Sequence, residues 1–167
     1  VSLWEKEVIV PIDSRKLTAA AAPWSPKPCQ RPTSMAIDQK NGRLFVGCSN
    51  RMMVVLDTSN GRLITRVATS QGRGVAAAFD PELGLVFSSN GEGTNSEGLV
   101  TVIRQESPDR YRVAETLKIG AGARAIALDE KTHRVFVPIA DQSAQMGAGG
   151  NDIRYVPDTF RVLIFGM

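Results

Sequence analysis

Short apolar runs broken by polar turns organise the chain. "SMAI" (Ser34–Ile37) leads to Asp38, a turn at Asn41-Gly42 and a second run, "RLFVGC" (Arg43–Cys48). "AAAF" (Ala76–Phe79), Asp80 and "LVFSS" (Leu85–Ser89) repeat the arrangement, as do "AIAL" (Ala125–Leu128), Asp129 and "RVFVPI" (Arg134–Ile139). Two apolar runs joined by a tight polar turn predict a β-hairpin. The acidic anchors recur at intervals of 42 and 49 residues. Each hairpin is followed by another: "MMVVLDTSNGRLITRV" (Met52–Val67), then "LVTVIRQESPDRYRVAETLKI" (Leu99–Ile119) with a longer connection. "EVIVPIDSRKLTAA" (Glu7–Ala20) reads as an earlier second hairpin, and "FRVLIF" (Phe160–Phe165) as the third strand of the last copy. The runs are rich in β-branched residues and no long stretch keeps a helical period, so the chain is expected to be all-β.

Four antiparallel strands per unit at this period predict β-propeller blades. Residues 1–30 read as the end of one blade, 31–70 and 71–120 as whole blades, and 121–167 as a last blade lacking its outer strand. That is about thirteen strands, or three and a quarter blades, and propellers close with about four to eight. The expected partners are therefore the remaining blades of the same propeller or another chain. The start at Val1, mid-blade and without Met, reads as a cut or processed end, and the stop after "FRVLIFGM" as a natural one.

"PTSMAIDQKNGRLFVGCSNRMMVVLDTSNGRLITRV" and "GARAIALDEKTHRVFVP" resemble the YVTN-repeat, YncE-like β-propeller family. The slot that names the family is filled by Phe45-Val46-Gly47-Cys48, Phe87-Ser88-Ser89-Asn90 and Phe136-Val137-Pro138-Ile139. The resemblance spans nearly the whole chain except Asp141–Asp158. It implies a seven-bladed ring and a periplasmic or extracellular location. It does not imply one function, because such propellers include binding proteins, surface proteins and enzyme-like relatives. The WD dipeptide of WD40 repeats is absent.

Charge narrows the functional classes. The net charge of +3 is spread without a Lys/Arg run, so nothing points to nucleic acid. No apolar run reaches the roughly 18 residues of a membrane-spanning helix. "GRGVAA" (Gly72–Ala77) matches a dinucleotide-binding spacing, yet the repeat makes it the start of a strand rather than of a helix. "MGAGG" (Met146–Gly150) lacks the Lys-Ser/Thr ending of a phosphate loop. His133 is the lone histidine, so these residues hold neither a Ser–His–Asp triad nor a His-rich metal site. Asp13, Asp38, Asp57, Asp80 and Asp129 stand at strand ends, where an Asp accepts hydrogen bonds from the N–H groups of its own turn. They are read as structural.

Cys29 and Cys48 fall at one end of a single blade, with Cys48 expected opposite about Thr33. They are compatible with a disulfide or with two buried thiols. The resemblance to exported propellers favours the disulfide.

The loop leading into the first strand of a blade and the loop after its second strand emerge at the same end. That end should carry Arg31, Arg73 and Arg124 from the first kind of loop, and Asn50, Asn90, Glu92 and Asp141 from the second. Asn90, Glu92 and Asp141 are oxygen donors of the type calcium takes, so calcium is a possible cofactor, although none is required. The long loop Asp141–Thr159 adds Arg154, Tyr155 and Asp158, which can make specific contacts, and loops of this length are often functional. The expected function is a non-catalytic scaffold binding a protein or small-molecule ligand on this face. The alternative is a calcium-dependent hydrolase of the lactonase type.

Overall fold

The computed structural model describes residues 1–70, 73–92, 98–120, 122–142 and 155–166. Every regular element among them is a strand, and no helix is long and apolar enough to cross a membrane. Residues of the predicted loop "MGAGG" and Arg154 lie outside the described residues.

The two whole repeats form four-stranded antiparallel meanders. In the first, β5 (Pro32–Asp38), β6 (Arg43–Cys48), β7 (Met52–Asp57) and β8 (Leu63–Ala68) lie side by side in chain order. In the second, β9 (Arg73–Asp80), β10 (Leu85–Glu92), β11 (Leu99–Ser107) and β12 (Arg110–Lys118) do the same. The last repeat has three strands, β13 (Ala127–Asp129), β14 (Arg134–Ile139) and β15 (Arg161–Phe165). Each hairpin follows from its turn. Gly42, at φ 63°, and Gly61, at φ 74°, adopt the left-handed conformation that suits glycine. Gly61 also packs flat against the Trp24 ring, where a Cβ would collide.

The N-terminal segment departs from the expected single hairpin. Val8–Ile9 (β2) pairs back to Ser2–Leu3 (β1), whereas Ile12–Asp13 (β3) pairs forward to Thr18–Ala19 (β4). Pro11 stands between the two pairs and has no N–H to donate, so the ladder is broken there. The tally among described residues is thus fifteen strands rather than about thirteen.

Packing runs from sheet to sheet. Phe45, Met53, Val55 and Val67 of the first whole repeat close on Phe79, Val86 and Ile103 of the second. The Phe45 ring lies 5.0 Å from Phe79 and 5.6 Å from Tyr111, the latter edge-on. Phe87, Val100 and Val102 in turn close on Val135, Val137 and Ile139 of the last repeat. On the other side, Ile9 and Trp24 cover Val46, Val54 and Leu56. Central strands therefore bury both faces; β6 and β7 are correspondingly almost wholly apolar, whereas β10 and β11 also bury the polar Ser88, Ser89, Asn90 and Thr101.

Cys29 and Cys48 form a disulfide with Cα atoms 5.3 Å apart. A bulge between Pro32 and Ser34 shifts the pairing so that Cys48 sits opposite Pro32 rather than Thr33.

Candidate binding face

Each sheet has two ends, and the turns at one of them are built on the repeated Asp residues. Asp13 accepts from the N–H groups of Arg15 and Lys16, Asp80 from those of Glu82 and Leu83, and Asp129 from that of Lys131. Asp57 accepts from the N–H and hydroxyl of Ser59. These are the Asx turns the repeat position predicts. Two of the carboxylates also reach the next blade. Gln105 Nε2 donates to Asp38 at 2.9 Å, and His133 Nδ1 lies 2.8 Å from Asp80 Oδ2. Arg43 adds a third link, donating to Asp109 Oδ1 at 2.7 Å and to the Pro108 carbonyl at 3.1 Å. Gln105 also meets the Tyr111 hydroxyl, which donates to the Pro108 carbonyl at 2.6 Å. This end is a set of inter-blade ties, and the sequence offered no sign of the partners Gln105 and Asp109.

The opposite end gathers the loops expected to bind. Arg31 sits there at φ 48°, its guanidinium 4.9 Å above the Trp4 ring, a cation–π contact. Its backbone N–H donates to Glu7 Oε1 at 3.2 Å. Asn50 accepts from the Gln30 N–H and donates to the Pro28 carbonyl, so its amide braces the loop leading into β5. Asn90 fills the corresponding place in the next blade. It is 1% exposed, accepts from Thr101 Oγ1 at 3.3 Å and donates to Thr69 Oγ1 at 3.5 Å. Ser70 Oγ meets the same Thr101 hydroxyl. Both asparagines thus tie a crossover to the blade it enters. Arg73 and Glu92 are paired in the backbone register of β9 and β10.

The last blade is built differently. Asp141 donates its N–H to Thr159 Oγ1, accepts from the Val156 N–H and holds Arg161 Nη2 at 2.8 Å. Gln142 bridges Tyr155. The two ends of the long loop are therefore clamped together as a short ribbon. Beside the clamp is an open cavity of about 370 Å³, with Gly122, Arg124, Pro138, Tyr155, Asp158 and Phe160 in its wall. Ala125, Ile139, Ala140 and Val156 complete a mostly apolar lining. Of the expected site residues, Arg124 and Tyr155 come together here, while Arg31, Asn50 and Asn90 belong to other blades. Asp158, at φ 61°, belongs to the same loop as Tyr155, whereas Phe160 was not foreseen as a wall residue. Of the possible calcium donors, Asn90 is engaged within its blade and Asp141 with Arg161.

Stacked four-stranded meanders, joined so that the outer strand of one leads to the inner strand of the next, define a β-propeller. The chain is similar in structure to the WD40 domain of Pan2 from Neurospora crassa, with a TM-score of 0.67 and 12% identity over 96% of this chain and 43% of that one. At such identity the likeness is one of fold. The chain spans less than half of that domain. No family model and no curated protein matches the sequence.

Proposed function

We propose that the chain is a non-catalytic binding scaffold, part of a seven-bladed propeller of the YVTN type, working in a periplasmic or extracellular setting without a cofactor. Its partners are the blades that complete the ring and a protein or small-molecule ligand at the loop end. The cavity of the last blade carries this reading. A mostly apolar lining with a few polar residues, here Arg124, Tyr155 and Asp158, is the usual make-up of a ligand site. The Cys29–Cys48 bond supports the location, because disulfides persist in oxidising compartments.

Titration of isotope-labelled protein with a panel of small aromatic carboxylates and extended peptides tests the reading. Resonance shifts should concentrate on Gly122–Ala125 and Tyr155–Phe160, and Tyr155→Ala should weaken the best binder about tenfold, as loss of one well-packed aromatic contact does. Shifts confined to the Asp-turn end would refute it.

A further inference from the structure

The two seams between blades are built from matched positions, and they differ in one layer. On the first whole blade, Ala36, Phe45 and Val55 form a row in register, and Ser34, Gly47 and Met53 form the next row toward the loop end. On the second blade the rows are Phe79, Val86 and Ile103, then Ala77, Ser88 and Thr101. Ala36, Phe45, Met53, Val55, Ala77, Phe79, Val86 and Ile103 pack in one core. Ser34 stands two residues from Ala36, and Ser88 two from Val86. The period of a strand therefore turns both serines into this same seam, from opposite sides. The second seam has Ala76 and Val137 at the positions of Ser34 and Ser88. Ser89 stands there in place of Gly47, and its hydroxyl accepts the Ala76 N–H.

Ser34 is 7% exposed and Ser88 0%, and neither hydroxyl has a hydrogen-bond partner among the described residues. Thr101, paired with Ser88, has nothing left to offer. Its hydroxyl donates to Asn90 Oδ1 and receives the N–H and the hydroxyl of Ser70, which uses its one proton and both lone pairs. An orphaned buried hydroxyl is costly, and the second seam shows that apolar residues fit this layer. Two such hydroxyls face each other across the first seam, and between Ser34 and Met53 stands Gly47, which adds no side chain. We propose that this layer binds a buried water molecule, held by Ser34 Oγ and Ser88 Oγ in the room that Gly47 leaves. A buried water takes about two to four polar partners that are otherwise unsatisfied, and the two hydroxyls supply the minimum, each able to donate and to accept. The first seam is thus closed through water, and the second is dry at the matched layer.

Water-selective nuclear Overhauser spectroscopy of the isotope-labelled 167-residue chain is the test. A water held for longer than the molecule tumbles should give cross-peaks of the protein's own sign to Ser34, Gly47 and Ser88, and none to Ala76 or Val137. Gly47→Ala fills the room and keeps both hydroxyls, and alanine suits the regular strand β6. It should erase the cross-peaks, whereas peaks relayed by exchange of the hydroxyl protons would survive it. The double variant Ser34→Ala with Ser88→Ala should erase them as well, with circular dichroism as the check on folding. Urea titrations give a second readout that needs no spectral assignment. Each single serine variant should raise the unfolding constant about fivefold, the effect of roughly one hydrogen bond. The double variant should show less than the two effects combined, because both hydroxyls share one water. Cross-peaks missing from the wild type, cross-peaks that survive Gly47→Ala, or serine variants that stabilise the chain, as removal of an orphaned hydroxyl does, would each overturn the proposal.

Discussion

Asp38 is 2% exposed and receives hydrogen bonds from its own turn and from the next blade. Burial alone pushes its pKa up, but the bonds from Asn41 and Gln105 outweigh it and hold the carboxyl below the usual carboxylate range. A depressed folded pKa gives stability that is present above the unfolded value and lost as pH falls through the folded one. Asp38→Ala should therefore cost about 1–3 kcal/mol near neutral pH, the penalty for orphaned buried donors, and urea titrations should show the gap closing in acid. His133 behaves oppositely. Its hydrogen bond to Asp80 comes first in raising its pKa, with Glu82 and Asp129 adding to the effect against some desolvation. Its contribution is whole below the unfolded value of about 6.5 and fades as pH rises through the raised folded one. The difference in urea midpoint between wild type and His133→Gln should shrink steadily on the alkaline side; an unchanged difference would break the assignment. Phe45→Ala, which empties the aromatic cluster with Phe79 and Tyr111, should cost about 3–5 kcal/mol. The Asx role of the aspartates was legible because it is local, set by residues two or three positions on. Gln105 and His133 as partners were not, because they lie 67 and 53 residues away and are brought there only by sheet stacking.

The strands themselves were legible for a related reason. β6 and β7 are buried on both faces, so they write continuous apolar runs that sequence reveals, and β10 and β11 each open on a shorter one, Leu85–Phe87 and, with Thr101 inside it, Leu99–Ile103. The short β1 and β3 write almost nothing, and Pro11 splits what looked like one strand. Burial also orders their stability. Amide hydrogen exchange should be slowest in β6, β7, β10 and β11 and fastest in β1–β4 and β15, because local opening follows contact with neighbours. The loop end was legible only in part. Repeat position placed these loops at one end, but Asn50 and Asn90 turn their amides inward to brace crossovers, through hydrogen bonds that include those to Pro28 and Thr69. The disulfide acts at the same scale, joining the crossover to β6 over a separation of 19 residues. Reducing it should cost about 3 kcal/mol in the chain-entropy account of such loops, seen as a lower thermal midpoint in reductant. Thiol titration of unfolded, unreduced protein should find none free.

Across the whole molecule, repeats contact only their neighbours, so stability is a sum of blade terms and interface terms. Those interfaces are not interchangeable. The first whole blade offers Asp38 and Arg43 to Gln105 and Asp109 of the second, whereas the second offers Asp80 to His133 of the last. In both of these seams the acceptor is a turn aspartate, but the donor that answers it differs in chemistry and in address. Each of these two units is thereby addressed to its own successor. A gene rearrangement that duplicated, deleted or exchanged one unit at the blade boundary would keep every hairpin intact and still mismatch both of its seams. Cut points that keep a carboxylate together with its donor, from Asp38 through Gln105 or from Asp80 through His133, mark the smallest segments that recombination could move without loss.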